Sequence, residues 1–349
     1  MSVTSVDAKP VDAQPAEAAR GRVFAYLFAV ANWAIRLVAV VLVIATFNFI
    51  LVHAAPGDPA QVMAGQSGSS DEKLLSQLRA EYGLDKPYVI QLATYLKRVV
   101  TLDLGYSYRQ QRPVLTLIGE RMPATLLLTG SAFLTALFLG ILLGTLAGIR
   151  AGKWSDTMLT VISLLLYAMP VFWLGLMMVL LFSVQLNWLP AFGYVTIGVP
   201  QTAMERALDI GKHLLLPGLS LAAVYLAIYA RLMRSSVIEV MHQDFIKTAR
   251  AKGLKQGRII LRHVLRNAIL PVVTVAGMQA GALVGGAVVV ETVFAWPGLG
   301  RLIYDSVLQR DYPVMLGIFL VMSVIVIVLN LVTDVIYRMV DPRVTTNAS

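Results

Sequence analysis

Five stretches of this chain contain no Asp, Glu, Lys or Arg: residues 122–149, 157–204, 213–230, 267–290 and 312–333. A sixth apolar run covers 37–52. Crossing the hydrocarbon core of a bilayer takes about 20 apolar residues in a helix. A crossing segment must also pair its own backbone groups, which a helix does locally. The stretch 157–204 is too long for one crossing, and Pro170, Asn187 and Pro190 interrupt it. The pattern predicts an all-α integral membrane protein with six transmembrane helices. Their expected extents are 35–53, 123–149, 157–183 with a kink at Pro170, 213–231, 267–290 and 312–337. Only 14% of the residues are charged, against roughly a quarter in soluble domains.

Charge sets the expected orientation. With the N-terminus in the cytoplasm, the inside segments hold sixteen basic and seven acidic residues, and the outside loops twelve of each. Lys and Arg gather in the short inside loops, as the positive-inside rule requires. Both termini are then cytoplasmic, and the net charge of +9 reflects topology rather than nucleic-acid binding.

The chain divides accordingly. Residues 1–22 read as a disordered cytoplasmic tail, with no signal-peptide pattern. Residues 23–53 are the first transmembrane helix with an interfacial lead-in over 23–35. Residues 54–120 form an extracytoplasmic helical segment: Ser70-Asp71 caps one helix ended by Gly83, a second amphipathic helix covers 88–100, and Leu104-Gly105-Tyr106 turns. Its length and patterning favour a functional segment over a plain linker. Residues 121–338 are the membrane body with a long inside loop over 236–266, and 339–349 a cytoplasmic tail.

Several chemistries are excluded. The chain has no cysteine and four scattered histidines, so disulfides, thiolate metal sites and H-E-x-x-H spacing are absent. Neither a G-x-x-x-x-G-K-[ST] phosphate loop nor a membrane-hydrolase motif occurs. Ion-coupled transporters need ionisable groups inside their spans. Here the interiors of the second to sixth expected spans are uncharged except at Asp334, which stands four residues before Arg338, the spacing of a helix-surface pair rather than of a proton relay. If this chain pumps, another chain supplies the energy.

Two patterns remain. Gly140, Gly144 and Gly148 recur every four residues, as do Gly277, Gly281 and Gly285. That spacing reads as close helix packing, with a flexible gate as the sharper alternative. In the inside loop the spacing predicts a short helix over 241–253, with Phe245, Ile246, Ala249 and Gly253 on one face. Gly253 suits the left-handed residue that ends a helix. Arg258, Arg262 and Arg266 follow at one-turn intervals. From the residues alone, this basic helix fits a partner's groove or an anionic lipid surface equally well.

The loop also carries a resemblance. Asp244-Phe245-Ile246-Lys247-Thr248-Ala249-Arg250-Ala251-Lys252-Gly253-Leu254 resembles the cytoplasmic coupling motif of ABC importer permeases, in the form used by the dipeptide/oligopeptide (Opp/Dpp B-type) branch. His263-Val264-Leu265-Arg266-Asn267-Ala268 and Pro271 continue it. Lys247-Thr248-Ala249 stands where the general motif has Glu-Ala-Ala, a departure that points to the peptide branch. Similar segments follow in order from about 36 to 343. Among them are Ala55-Pro56-Gly57-Asp58-Pro59, Tyr82-Gly83-Leu84-Asp85, Asp103-Leu104-Gly105-Tyr106-Ser107 and Ile228-Tyr229-Ala230-Arg231-Leu232-Met233-Arg234. Glu291-Thr292-Val293-Phe294-Ala295-Trp296-Pro297-Gly298-Leu299-Gly300 and Arg310-Asp311-Tyr312-Pro313 continue the series.

The resemblance implies a type I ABC importer permease fold over 121–338, a location in the cytoplasmic (inner) membrane and a non-catalytic chain. It implies a second homologous permease, two ABC ATPase subunits, an extracytoplasmic substrate-binding protein and a peptide substrate, with membrane lipid around the spans. No cofactor is expected on this chain; ATP and Mg belong to the ATPases. The coupling residues would be Asp244, Phe245, Ile246, Thr248, Ala249, Arg250, Ala251, Lys252, Gly253 and Leu254, supported by Arg258, Arg262, His263, Arg266 and Asn267. Glu291, Phe294, Trp296, Pro297 and Gly298 read as an outer gate or a simple loop. Similar permeases import glutathione or nickel chelates, and a stand-alone channel or secondary transporter is the alternative from another class.

Overall fold

The computed structural model describes residues 35, 38–51, 72, 75–76, 79–80, 85–101, 103–107 and 109–340, with side chains to 333. The expectations for 1–22, the lead-in over 23–34, the residues 341–349 and the Asp334–Arg338 pair lie outside the described residues; of the helix expected over 70–83, Glu72, Leu75, Ser76, Arg79 and Ala80 are described, and all are helical.

The described chain is almost wholly helical. In order come α1 (Val38–Leu51), α2 (Tyr88–Val100), a two-stranded hairpin of β1 (Tyr106–Ser107) and β2 (Arg112–Pro113), and α3 (Val114–Ile149). α4 (Trp154–Ala168) and α5 (Val171–Gln185, its last part π-helical) follow. Then come α6 (Ala203–Met241), α7 (Asp244–Ala251) and α8 (Gln256–Val293, π-helical over Ile260–Val264). α9 (Leu299–Gln309) and α10 (Tyr312–Val340) complete the chain.

Among the described residues, α3, α6, α8 and α10 are each long and apolar enough to cross a membrane. α1 is a shorter apolar helix. α4 and α5 pass the same test only together, and they meet at 109°. The expected kink at Pro170 is thus a break. Pro170 has no N–H for a helix to continue through, and its ring drives the residue before it out of the helical region. Met169 accordingly sits at φ −77, ψ 131.

The helices also overrun the apolar runs. α3 starts at Val114 directly after Pro113, nine residues before the expected start, and carries Pro123 inside it. α6 has 39 residues, about 58 Å of helix against a hydrocarbon core of about 30 Å. Its early start is fixed by a capping box. The Thr202 hydroxyl accepts from the Glu205 N–H while the Glu205 carboxylate accepts from the Thr202 N–H.

Small residues set the helix pairing. A Cβ at Gly140 would come within 2.7 Å of Tyr229 Cβ, one at Gly148 within 2.7 Å of Val237 Cβ, and one at Gly144 would overlap Ala230 O. α3 and α6 therefore run parallel with backbones nearly touching, which dispersion favours in lipid. On α8, a Cβ at Gly277 would overlap Thr333 Cγ2 and one at Gly281 would meet Val326 Cγ1 at 2.8 Å, against antiparallel α10. Gly285 departs from that expectation: nothing lies within 4 Å, and it borders an apolar groove with Ile44, Val288 and Phe319. The core lies where α3, α6, α7 and α8 meet, around Leu128, Tyr229, Met233, Ile246, Val264 and Trp296.

Candidate functional site

One end of the bundle carries α7 and most of its neighbouring basic residues; the other carries the hairpin and α9. At the basic end, α6 stops at Met241 and α7 restarts at Asp244, so the single helix expected over 241–253 is shorter and separately begun. Eight residues make a marginal helix in water. Tertiary contacts hold this one. Ile246 is fully buried and Ala249 nearly so, both within the central core.

The end of α7 is equally defined. Gly253 N–H donates to Arg250 O at 2.9 Å and Leu254 N–H to Ala249 O at 3.3 Å, the two bonds of a Schellman cap. Gly253 takes the left-handed position at φ +72. Leu254, the next residue, packs against the core. The tie is short at both ends, so α7 sits firmly between the spans α6 and α8.

The faces of α7 differ from the expectation. Phe245, Ile246, Ala249 and Gly253 do not share one face. Ile246 and Ala249 point into the protein's own core, whereas Phe245 is 40% exposed. A partner would meet Asp244, Phe245, Lys247, Thr248, Arg250, Ala251, Lys252 and Gly253, all exposed. Ala249 is not available as a small-residue seat, and a Glu there would bury a charge rather than probe docking. The Lys247–Asp244 pair, 2.8 Å apart, is well exposed and contributes little. Of the expected supports, Arg258, Arg262 and Arg266 are exposed and His263 half-buried, and the Asn267 amide donates to His263 O of its own helix.

Two turns before α6 ends, the structure shows a contact that sequence reading missed. Asp156, at the start of α4, is 3% exposed. Arg234 of α6 holds it with both arms, Nε to Oδ1 at 2.5 Å and Nη2 to Oδ2 at 2.8 Å. The Gly152 N–H donates to the same carboxylate at 2.9 Å. The available signal was a lone acid beside a charge-free run, but its partner lies 78 residues away.

At the opposite end Glu291 is fully buried. Its carboxylate accepts from Thr125 Oγ1 at 2.6 Å and from the Arg301 N–H at 3.0 Å. Thr125 Oγ1 accepts in turn from the Leu299 N–H at 2.7 Å. The carboxylate therefore sits on the N-terminus of α9, where free N–H groups and the helix dipole favour an anion. α8 ends in a second Schellman cap, with Trp296 N–H donating to Glu291 O at 2.8 Å and Ala295 left-handed at φ 52. The buried Trp296 ring donates through Nε1 to Ala124 O at 2.9 Å. A Cβ on Gly298 would strike the Glu291 carboxylate. Of the residues read as gate or loop, Glu291, Phe294, Trp296 and Gly298 are thus brought together as a buried staple joining α3, α8 and α9.

The hairpin is tied to the same end. Ser107 donates to Asp311 Oδ2 at 2.5 Å, both buried. Burial pushes the Asp311 carboxyl above the ordinary aspartate range, with the Ser107 hydroxyl and Val314 N–H pulling the other way. Arg112 and Glu120 form a two-pronged exposed pair.

Comparison with known proteins places this architecture. The family described as binding-protein-dependent transport system inner membrane component matches residues 140–346, and its N-terminal counterpart matches 27–129. The dipeptide transport system permease protein DppB of Escherichia coli (strain K12) is 41% identical over 326 residues, 87% of this chain and 96% of that protein. DppB of Alkalihalophilus pseudofirmus is 37% identical over 322 residues, 88% and 96%. The glutathione transport system permease protein GsiC of Escherichia coli O6:H1 is 39% identical over 308 residues, 88% and 95%. A chain of the inward-facing MetNI methionine ABC transporter, in its native crystal form, has a similar fold: TM-score 0.52 and 19% identity, over 65% of this chain and 97% of that one.

Proposed function

The chain belongs to the family of binding-protein-dependent transport system inner membrane components, and we propose that it passes dipeptides or oligopeptides inward as one of two permeases of an ATP-driven importer. An extracytoplasmic binding protein delivers the peptide. Two ATPase subunits, carrying ATP and Mg, dock from the cytoplasm on the exposed face of α7. The basic end is then cytoplasmic, as are both termini, and the hairpin end faces outward.

One observation carries the coupling role: α7 is anchored to the core by Ile246 and Ala249 while Phe245 stands exposed, and short, capped connections join it to two spans. A partner that displaces α7 displaces α6 and α8 as rigid bodies. The peptide class is supported by the names of the dipeptide permeases at 37–41% identity.

The test is ATP-dependent uptake of labelled di- to hexapeptides into vesicles holding the complete complex and its binding protein. Uptake that needs ATP and every partner is expected. Stimulated ATPase activity without peptide uptake would redirect the assignment to glutathione, for which GsiC is named at 39% identity, or to a metal chelate. Solute flux by this chain alone would overturn the importer reading in favour of a channel or secondary transporter.

A further inference from the structure

α4 is fastened to α6 at two places, one near each of its ends. Its buried residues are Asp156 and Ser163, and the Ser163 hydroxyl only donates back to Leu159 O of its own helix. A void of about 20 Å³ lies where α4 packs on α3 and α6, bordered by Gly144, Leu159, Ser163 and Arg231. At its far end α4 meets the 109° break to α5. At its near end the Asp156 carboxylate is gripped by Arg234 and by the Gly152 N–H. One turn before Arg234, the Arg231 guanidinium lies 5.0 Å over the Tyr167 ring.

Arg234 stands two helical turns before α6 ends, directly ahead of α7. A bidentate arginine–carboxylate pair fixes distance and orientation together, which a loose apolar seam does not. We propose that the Asp156–Arg234 pair is the joint that carries movement of α7 and the end of α6 into α4, which then swings about the break at Met169-Pro170. Asp156 and Arg234 act as positioning residues. This inference rests on the importer reading above.

The test uses the reconstituted complex with its ATPases and binding protein. Asp156→Asn should lower uptake about tenfold while leaving binding-protein-stimulated ATP hydrolysis within about twofold, so that ATP spent per solute rises. Arg234→Lys, which keeps the charge but loses the two-armed grip, should fall between. The swap of Asp156→Arg with Arg234→Asp should recover at least half of the lost coupling. An unchanged ratio of ATP hydrolysed to solute imported in Asp156→Asn would overturn the proposal. The sequence has no cysteine, so labels at Trp154→Cys and His242→Cys, both exposed, report the distance across the joint. That distance should stay constant through the ATP cycle with the pair intact and vary in Asp156→Asn. Variation of several ångströms with the pair intact would overturn the proposal even if the Asn variant failed to assemble. A complex without any ATP-dependent uptake or stimulation would remove the importer premise, a failure distinct from that of the joint.

Discussion

The two ends of this bundle are fastened by different physics. At the hairpin end, buried polar groups are each satisfied by a distant partner: Glu291 by Thr125, the Trp296 ring by Ala124 O, and Asp311 by Ser107. At the basic end, α7 is held by two apolar side chains and a cap, and α4 by the Asp156–Arg234 pair and the Arg231–Tyr167 contact. Buried polar bonds are costly to disturb because a member that loses its partner is left unpaired away from water. Apolar seams and single joints permit small relative movement. The contrast assigns rigidity to one end and transmission to the other.

The sharpest way to break that contrast is Glu291→Ala. It removes the acceptor for the Thr125 hydroxyl and the Arg301 N–H, so a loss of about 3 kcal/mol is expected, read as a lowered midpoint of unfolding in detergent. A midpoint within error of the parent would deny the staple its structural role.

Ile246→Ala should cost about 2 to 3 kcal/mol through the cavity it leaves and should loosen α7 before the spans. Hydrogen exchange would show this as faster exchange over α7 than over α6. Uniform loss of protection would mean that α7 and the spans unfold as one unit.

Asp311→Asn tests the hairpin tie through pH. Because the folded Asp311 carboxyl titrates above its unfolded value, its favourable contribution is present at low pH and is lost as pH rises through the folded value. The stability difference, Asn variant minus parent, should therefore grow more positive from acid to neutral pH. A pH-independent difference would contradict the burial of that carboxylate.

The smallest effect on stability is expected for Phe245→Ala, within about 0.5 kcal/mol for an exposed side chain. Its effect on function should be large: ATPase subunits should co-purify weakly and uptake should fall. Normal uptake by this variant would move the docking surface elsewhere.

Part of this was legible in sequence because it is local. The α2 bounds, 88–100, follow from amphipathic spacing and match the expected extent. Gly253 marked the end of α7 because a Schellman cap needs a left-handed residue there. The inward face of α7 was not legible, since Phe245 and Ile246 are both apolar and adjacent, and only the position of the core decides which one is covered.

By itself, then, the sequence determined the membrane class, four of the six expected spans and the peptide-permease resemblance, because charge-free runs and helical periodicity act over a few turns. The tertiary structure alone decided the 109° break at Pro170, the lengths to which α3 and α6 overrun their apolar runs, and the burial of Ala249. It alone joined Glu291 to Thr125 across 166 residues and Asp156 to Arg234 across 78. Those partners are set by how helices pack in three dimensions, and no local pattern of one chain records which distant side chain will share the same buried space.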